Sequence, residues 1–190
     1  MKENRPIKAT AWYSIAVGIM NIGTWAFLLF SGNVTEFETE PAAFGFHWLS
    51  ELTTAIMLIV SGMILLKHAR HAIQAMFLSL GLLVMAIMGA FIYYMLNFEV
   101  VIFAISALVT GSTIIFIILN YRSFKDFIMI TQGALIYALL NITGKALQSG
   151  DLSLLSMSVP VLLFVMIIAI NLIGKEIIFM RPKHVNTKTE

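Results

Sequence analysis

The sequence predicts an all-α, multi-pass membrane protein with six transmembrane helices in three antiparallel hairpins and both termini in the cytoplasm. Three observations support this class. Of the 190 residues, 59% are hydrophobic and only 12% are charged, whereas water-soluble domains average about 25% charged residues. Long stretches of the chain contain no Asp, Glu, Lys or Arg, and the charges that separate them alternate in sign from one predicted loop to the next.

The uncharged stretches give the positions of the helices. A helix that crosses a hydrocarbon core of about 30 Å needs about 20 mostly apolar residues. Stretches of this kind predict spans at about residues 10–31, 45–67, 72–96, 100–120, 126–146 and 153–175. The second stretch is long enough only if it starts near Phe44, which places His47 and Glu51 inside the span. Residues 10–175 therefore form a single transmembrane domain, with cytoplasmic tails at residues 1–9 and 176–190.

The loop charges predict the orientation. Cytoplasmic loops of membrane proteins carry an excess of Lys and Arg. Eleven of the twelve basic residues fall on one side of the six-helix arrangement: Lys2, Arg5, Lys8, Lys67, Arg70, Arg122, Lys125, Lys175, Arg181, Lys183 and Lys188. Only Lys145 falls on the other side, so we expect a location in the cell membrane with both termini in the cytoplasm.

Composition and missing motifs exclude several classes of protein. Twelve basic and ten acidic residues are too few to cover the surface of a soluble enzyme of this length, and a net charge of +2 does not indicate a nucleic-acid partner. The chain has no cysteine, no phosphate-binding loop and no nucleophile elbow, which argues against thiolate metal sites and hydrolases. We expect no catalytic residue, cofactor or metal. The expected partners are the lipid bilayer and a second copy or another membrane protein.

A weak internal repeat relates the second and third hairpins. A shift of 52 positions aligns Gly81 with Gly133 and Glu99 with Asp151. Over residues 81–119 it gives seven identities, where apolar composition alone would give about four. The alternative to a true repeat is that the similarity arises by chance, because any two hydrophobic hairpins have a similar composition.

Two short segments carry a family resemblance. Arg70-His71-Ala72-Ile73-Gln74 leads into the third helix, and Ile102-Phe103-Ala104-Ile105-Ser106-Ala107 lies in the fourth. With the three-hairpin plan and the overall length, these segments resemble the bacterial acid-resistance membrane proteins of the Hde type. The resemblance implies a stress-related inner-membrane protein and carries over no catalytic residues.

His47 and Glu51 are the first candidate functional residues. They lie four residues apart on one face of the second helix, and an ionisable group inside the bilayer is costly enough to indicate a function. The pair can form an intrahelical hydrogen bond without further role, or exchange a proton as part of a proton- or solute-handling site. It can also supply two ligands to a metal, although a zinc site needs three or four.

Lys145, Asn21 and Asn141 are the other candidates. Lys145 lies at the outer end of the fifth helix, at a depth similar to that of Glu51, so the two side chains can form an ion pair. The alternative is that the lysine side chain extends towards the lipid phosphates. Asn21 and Asn141 lie in the first and fifth helices. Their amides either join helices by hydrogen bonds or line a polar pathway.

Three hypotheses follow from these features. The first is a non-enzymatic membrane protein of the stress or acid-resistance type. The alternative is a small transporter or channel for protons, ions or a small solute that uses the polar groups at the outer ends of the second and fifth helices. A third is a membrane enzyme acting on lipid, with His47 and Glu51 as acid and base.

Overall fold

The structure is a computed structural model of the chain. It describes residues 5–32, 36–69, 71–96, 100–122, 124–150 and 154–179. Some of the predictions above concern residues outside these ranges, namely Lys2, Arg70, Glu99, Asp151 and the charged residues beyond position 179.

All the regular structure in the described residues is helical, which confirms the all-α class. Six long helices and one single-turn helix follow one another: α1 Arg5–Ser31, α2 Glu36–Thr39, α3 Pro41–Leu66, α4 Ala72–Leu96, α5 Val100–Asn120, α6 Phe124–Gln148 and α7 Leu154–Phe179. Each long helix covers one predicted span almost completely. The largest difference is at the start of α1, which begins five residues before the predicted span.

Local sequence explains several of the helix ends. Pro41 stands in the first turn of α3, where its fixed φ suits a helix and its missing N–H is not needed. After α1 and α6, Gly32 (φ 67°) and Gly150 (φ 64°) take the left-handed conformation that commonly ends a helix and that glycine adopts without steric cost. The residues that begin or end these helices therefore lie directly beside the apolar runs in the sequence.

Four helical segments in the described residues are long and apolar enough to cross a membrane. They are Ile7–Ser31, Pro41–Leu66, Ala72–Gly89 and Lys125–Gln148, and the shorter segments Ala104–Asn120 and Ser158–Asn171 are also apolar. Large hydrophobic side chains cover the outside of the bundle: Phe30, Leu108 and Ile118 are 93%, 74% and 67% exposed. Such a surface suits lipid and would be an aggregation hazard in water.

Three helices form the centre of the bundle. α3, α4 and α6 all contact one another, and each also carries a peripheral neighbour: α1 on α3, α5 on α4 and α7 on α6. Leu58, Phe77 and Leu80 are fully buried among them. Because α3 and α6 meet directly, polar residues of these two helices face each other in the interior.

Among the glycines of the described residues, the tightest approaches to a neighbouring helix lie between the two segments of the predicted repeat. A Cβ at Gly81 of α4 would overlap the carbonyl oxygen of Ile130, and a Cβ at Gly133 of α6 would overlap that of Leu78. The 52-residue shift that maps Gly81 onto Gly133 also maps Leu78 onto Ile130. The two contacts are therefore equivalent, as in a pair of copies about a two-fold axis, and they support the repeat.

Candidate functional site

Glu51 is buried where α1, α3 and α6 meet. It lies on α3, nearly three turns after the first residue of the helix, Pro41, and is 8% exposed. Asn21 of α1 donates its Nδ2–H to Glu51 Oε2 at 2.8 Å, and the hydroxyl of Tyr137 on α6 donates to Oε1 at 2.6 Å. Each carboxylate oxygen thus has one donor from a different helix, and both donors are neutral groups.

Asn141 organises the adjoining part of the site. Its Nδ2 donates to Ser50 Oγ at 2.9 Å and to the carbonyl oxygen of Tyr137 at 3.1 Å, while its Oδ1 lies 2.9 Å from His47 Nδ1. An amide oxygen only accepts, so in this pairing His47 Nδ1 carries the hydrogen and donates it to Asn141. Ser50 completes the arrangement by donating to the His47 carbonyl oxygen at 2.7 Å.

These side chains form one network, which we call the polar cluster: Asn21, His47, Ser50, Glu51, Tyr137 and Asn141. His47 and Glu51 stand one turn apart on α3 and do not bond to each other. They are joined through α6, because Tyr137 binds Glu51 through its hydroxyl and Asn141 through its carbonyl oxygen. The polar cluster therefore fixes the rotation of α6 against α3.

Aromatic rings adjoin the polar cluster at His47. The Trp25 ring meets the His47 ring edge to face, with centroids 5.8 Å apart, and meets Phe44 in the same manner at 6.0 Å. Such arrangements are favourable for aromatic pairs. They fix the imidazole from the α1 side while Asn141 fixes it from α6.

A family model matches residues 4–126, which is 123 of the 190 residues, and is described as a domain of unknown function, DUF8058. The chain belongs to the DUF8058 family. The DUF8058 region contains Asn21, His47, Ser50 and Glu51, whereas Tyr137 and Asn141 follow it on α6. No curated protein and no solved structure matches the chain.

Lys145 is separate from the site in this DUF8058 protein. It lies one turn beyond Asn141 on α6 with its side chain exposed, and the donors to Glu51 are Asn21 and Tyr137. Within the described part of the chain, neither Lys145 nor His47 is bonded to the Glu51 carboxylate. The structure thus brings together four of the five sequence candidates, Asn21, His47, Glu51 and Asn141, and leaves Lys145 outside.

Two members of the polar cluster were not singled out from sequence. Tyr137 precedes Asn141 by four residues and so shares its helix face, which was the available signal. Ser50 adjoins Glu51 in sequence, but serine is common in membrane helices, where its hydroxyl bonds to the preceding turn. Among the described residues, no group of three or more His, Cys, Asp or Glu side chains is placed to hold a metal ion.

A second set of polar contacts joins α1 to α5 nearer the opposite end of the bundle. The Tyr13 hydroxyl donates to the Val109 carbonyl oxygen at 3.1 Å and lies 2.6 Å from Thr113 Oγ1. Asn120 Nδ2 donates to Thr10 Oγ1 at 2.7 Å. These bonds join neutral groups, and their evident role is to hold α1 and α5 together.

Proposed function

We propose that this protein is a small membrane transporter or channel that binds a cation, in the first place the proton, at Glu51. The observation that supports the proposal is a buried carboxylate among apolar helices whose described donors are neutral. Hydrogen bonds from Asn21 and Tyr137 stabilise the ionised form but leave its charge uncompensated, which is costly in hydrocarbon. A bound proton or cation removes that cost, so the site favours uptake of positive charge.

The polar cluster supplies a means of coupling this uptake to the helices. With Glu51 ionised, the Tyr137 hydroxyl donates to it. With Glu51 protonated, the carboxyl group becomes a donor and the same hydroxyl can turn to accept. Because Tyr137 also binds Asn141 through its carbonyl oxygen, a change at Glu51 alters the contact between α3 and α6, which provides a local two-state element.

The proposal includes six spans in three antiparallel hairpins, with both termini on the cytoplasmic side of the cell membrane. The contacts of α1 with α3, α4 with α5 and α6 with α7 support it, as do the basic residues of the loops after α3 and α5. With this topology the polar cluster lies in the outer half of the membrane. Since the chain has no cysteine, single introduced cysteines test the topology with a membrane-impermeant maleimide.

For that labelling experiment in intact cells, Lys145→Cys and Glu40→Cys report the outer side, and Lys67→Cys and Arg122→Cys report the inner side. The proposed topology predicts that the first two react before lysis and the last two only after lysis. Reaction of Lys67→Cys in intact cells would contradict it.

A role in acid stress is the second candidate. The Hde-type resemblance implies it, and Glu51 and His47 lie at the end of the bundle that external acid would reach in the proposed topology. Survival of a bacterial host after an acid challenge tests this role. We expect protection by the wild-type chain and none by Glu51→Gln; equal protection by both would exclude a role of the carboxylate.

Proton flux in proteoliposomes tests the transport proposal. The full chain is reconstituted with a pH-sensitive dye inside, and a pH gradient is imposed. We expect flux above that of protein-free liposomes for the wild type and for Glu38→Gln, a matched control at an exposed carboxylate. Glu51→Gln, which keeps the size of the side chain and removes its charge, should fall to the protein-free rate. Flux that survives in Glu51→Gln would refute the role of Glu51.

A further inference from the structure

A cavity of about 140 Å³ lies at the end of the bundle opposite the polar cluster. Its walls come from five helices and include Leu65 of α3, Asn120 of α5 and Asp126 of α6. In the proposed topology this is the cytoplasmic end. A water molecule takes about 30 Å³ in the liquid, so the cavity has room for about four of them.

Asp126 gives the cavity an ionisable wall. Glu51 and Asp126 are the only charged side chains that are buried among the described residues, at 8% and 7% exposure. Asp126 Oδ2 accepts the backbone N–H of Arg122 at 2.8 Å, and Arg122 lines the same cavity. An ionisable group inside a membrane span indicates a function, and the bundle thus has one such carboxylate towards each end.

The two carboxylates are too far apart for direct proton transfer. Asp126 and Tyr137, whose hydroxyl binds Glu51, are eleven residues apart on α6, so the carboxylates are separated by about 16 Å along the bundle. Direct transfer needs heavy atoms within about 3 Å, or one water molecule between them. A connection between the two ends therefore requires polar groups in the space between them.

The contacts of α1 with α3 show which residues share a height in the bundle. A Cβ at Gly18 would overlap the carbonyl oxygen of Ala55, and a Cβ at Gly62 would overlap that of Ala11. The two helices are thus antiparallel, and Ser14 stands level with about residue 59 of α3. This height lies between Glu51 and the cavity.

Buried hydroxyl groups occur at intervals along this space. Asn120, in the cavity wall, donates its Nδ2–H to Thr10 Oγ1 at 2.7 Å, and the hydroxyl oxygens of Ser61 and Ser79 are 2.9 Å apart. The longest step along the axis, from Ser14 to Thr54, is about 7.5 Å, which one or two water molecules bridge. Five residues with hydroxyl groups, each 0% exposed, make up the series: Thr10, Ser14, Thr54, Ser61 and Ser79.

Ser14 is the member of this series that helix packing explains least. Thr54 and Ser61 each donate to a carbonyl oxygen of the preceding turn, whereas Ser14 Oγ is buried without a hydrogen-bond partner among the described residues. An unsatisfied buried hydroxyl destabilises a protein. Ser14 lies on the same face of α1 as Thr10 and Asn21, at spacings of four and seven residues. Its hydroxyl is therefore free to bond water midway along the series.

We infer that the cavity is the inner mouth of a proton path, and that Asp126 exchanges protons with Glu51 through Ser14 and the neighbouring hydroxyls. Water from the cytoplasm fills the cavity and bridges the steps. A hydroxyl donates and accepts at once, so each O–H bond of the relay breaks as the next one forms. Protonated Glu51 loses its proton, Asp126 gains one and then releases it to water in the cavity. The inference rests on the proposed function, because it supplies the inner half of a path that begins at Glu51.

Proton flux in proteoliposomes tests the path. Asp126→Asn removes the charge and keeps an oxygen for the Arg122 N–H, and Ser14→Ala removes the midway hydroxyl. We expect each substitution to lower the flux at least about tenfold, since positioned proton-transfer groups contribute about 10²-fold or more. Glu38→Gln and Ser31→Ala make the same changes of functional group at exposed positions and should keep the wild-type flux. Wild-type flux in Asp126→Asn or in Ser14→Ala would overturn the inference.

Cysteine labelling tests the inner mouth independently of flux. Leu65 lines the cavity, and Leu58, seven residues away on the same helix, is fully buried in the core. In inside-out membrane vesicles, 2-aminoethyl methanethiosulfonate should modify Leu65→Cys and leave Leu58→Cys unmodified, as measured by the mass of the protein. Absence of modification at Leu65→Cys, or equal modification of both variants, would contradict a water-filled mouth.

The variants separate this inference from the proposed function. If Glu51→Gln abolishes flux and Asp126→Asn does not, the inner path is wrong and the transport proposal stands. If flux requires Asp126 and not Glu51, the role of Glu51 is wrong and the inner mouth stands. Wild-type flux no higher than that of protein-free liposomes would refute both the transport proposal and the path, and modification of Leu65→Cys would then establish only a water-filled cavity.

Discussion

The hydrogen bond from Tyr137 to Glu51 should be the strongest single side-chain tie between α3 and α6. Its oxygens are 2.6 Å apart, and the two side chains are only 5% and 8% exposed. Hydrogen bonds to charged groups contribute about 1.5–3 kcal/mol and neutral ones about 0.5–1.5 kcal/mol. In membrane proteins measured side-chain hydrogen bonds average about 0.6 kcal/mol, with values up to about 1.7. For an ionised Glu51 we therefore expect Tyr137→Phe to lower the free energy of unfolding by about 1.5–1.7 kcal/mol, at the upper end of the membrane-protein range, because one partner is charged.

Unfolding of the full chain in mixed micelles by increasing dodecyl sulfate, followed by circular dichroism, measures this cost. Tyr121→Phe is the matched control, because Tyr121 is 45% exposed, and surface changes usually stay within about 0.5 kcal/mol. A double-mutant cycle with Glu51→Met, which has no oxygen to accept the Tyr137 hydroxyl, isolates the pair and should give a coupling of about 1.5 kcal/mol. If Tyr137→Phe costs no more than Tyr121→Phe, or if the coupling is zero, the proposed contact between α3 and α6 is wrong.

Three further predictions use the same unfolding assay. Gly133→Ala should cost about 1–3 kcal/mol because the added methyl overlaps the Leu78 carbonyl oxygen, whereas Gly23→Ala, with open space around it, should be neutral or stabilising; equal effects would contradict the α4–α6 contact. Asn141→Ala should cost about 1–3 kcal/mol because it leaves buried partners without hydrogen bonds, and a change below about 0.5 kcal/mol would argue against the polar cluster. Tyr13→Phe should cost about 1 kcal/mol, and no change would mean that its bonds to α5 do not contribute.

The positions of the helices could be predicted because they depend on properties along the chain. Each long helix contains an uncharged apolar run, and a proline or glycine beside the run marks the start of α3 and the ends of α1 and α6. The single-turn helix Glu36–Thr39 could not be predicted, since four residues carry no periodic pattern. The start of α1 at Arg5 was also missed because apolarity locates the part of a helix inside the membrane and not its polar extension.

The candidate site could be predicted only in part. Asn21, Glu51 and Asn141 stand out because amide and carboxyl groups are rare in apolar spans, and the structure places them in one network. Their partners depend on how each helix is rotated against the next. When almost every face is apolar, the sequence contains little information on that rotation. Tyr137 was missed for this reason, and the ion pair of Glu51 with Lys145, which similar depth allowed, is absent because Lys145 faces outward.

The central claim of this account is that Glu51 takes up positive charge inside the membrane, and infrared spectroscopy of the reconstituted protein tests it most directly. Difference spectra are recorded between neutral and acidic buffer for the wild type, Glu51→Gln and Glu38→Gln. The account predicts that acidification produces a carboxyl carbonyl band to which all protonated acidic residues contribute, with one component that is present in the wild type and in Glu38→Gln and is missing in Glu51→Gln. Identical difference spectra for the wild type and Glu51→Gln would contradict it.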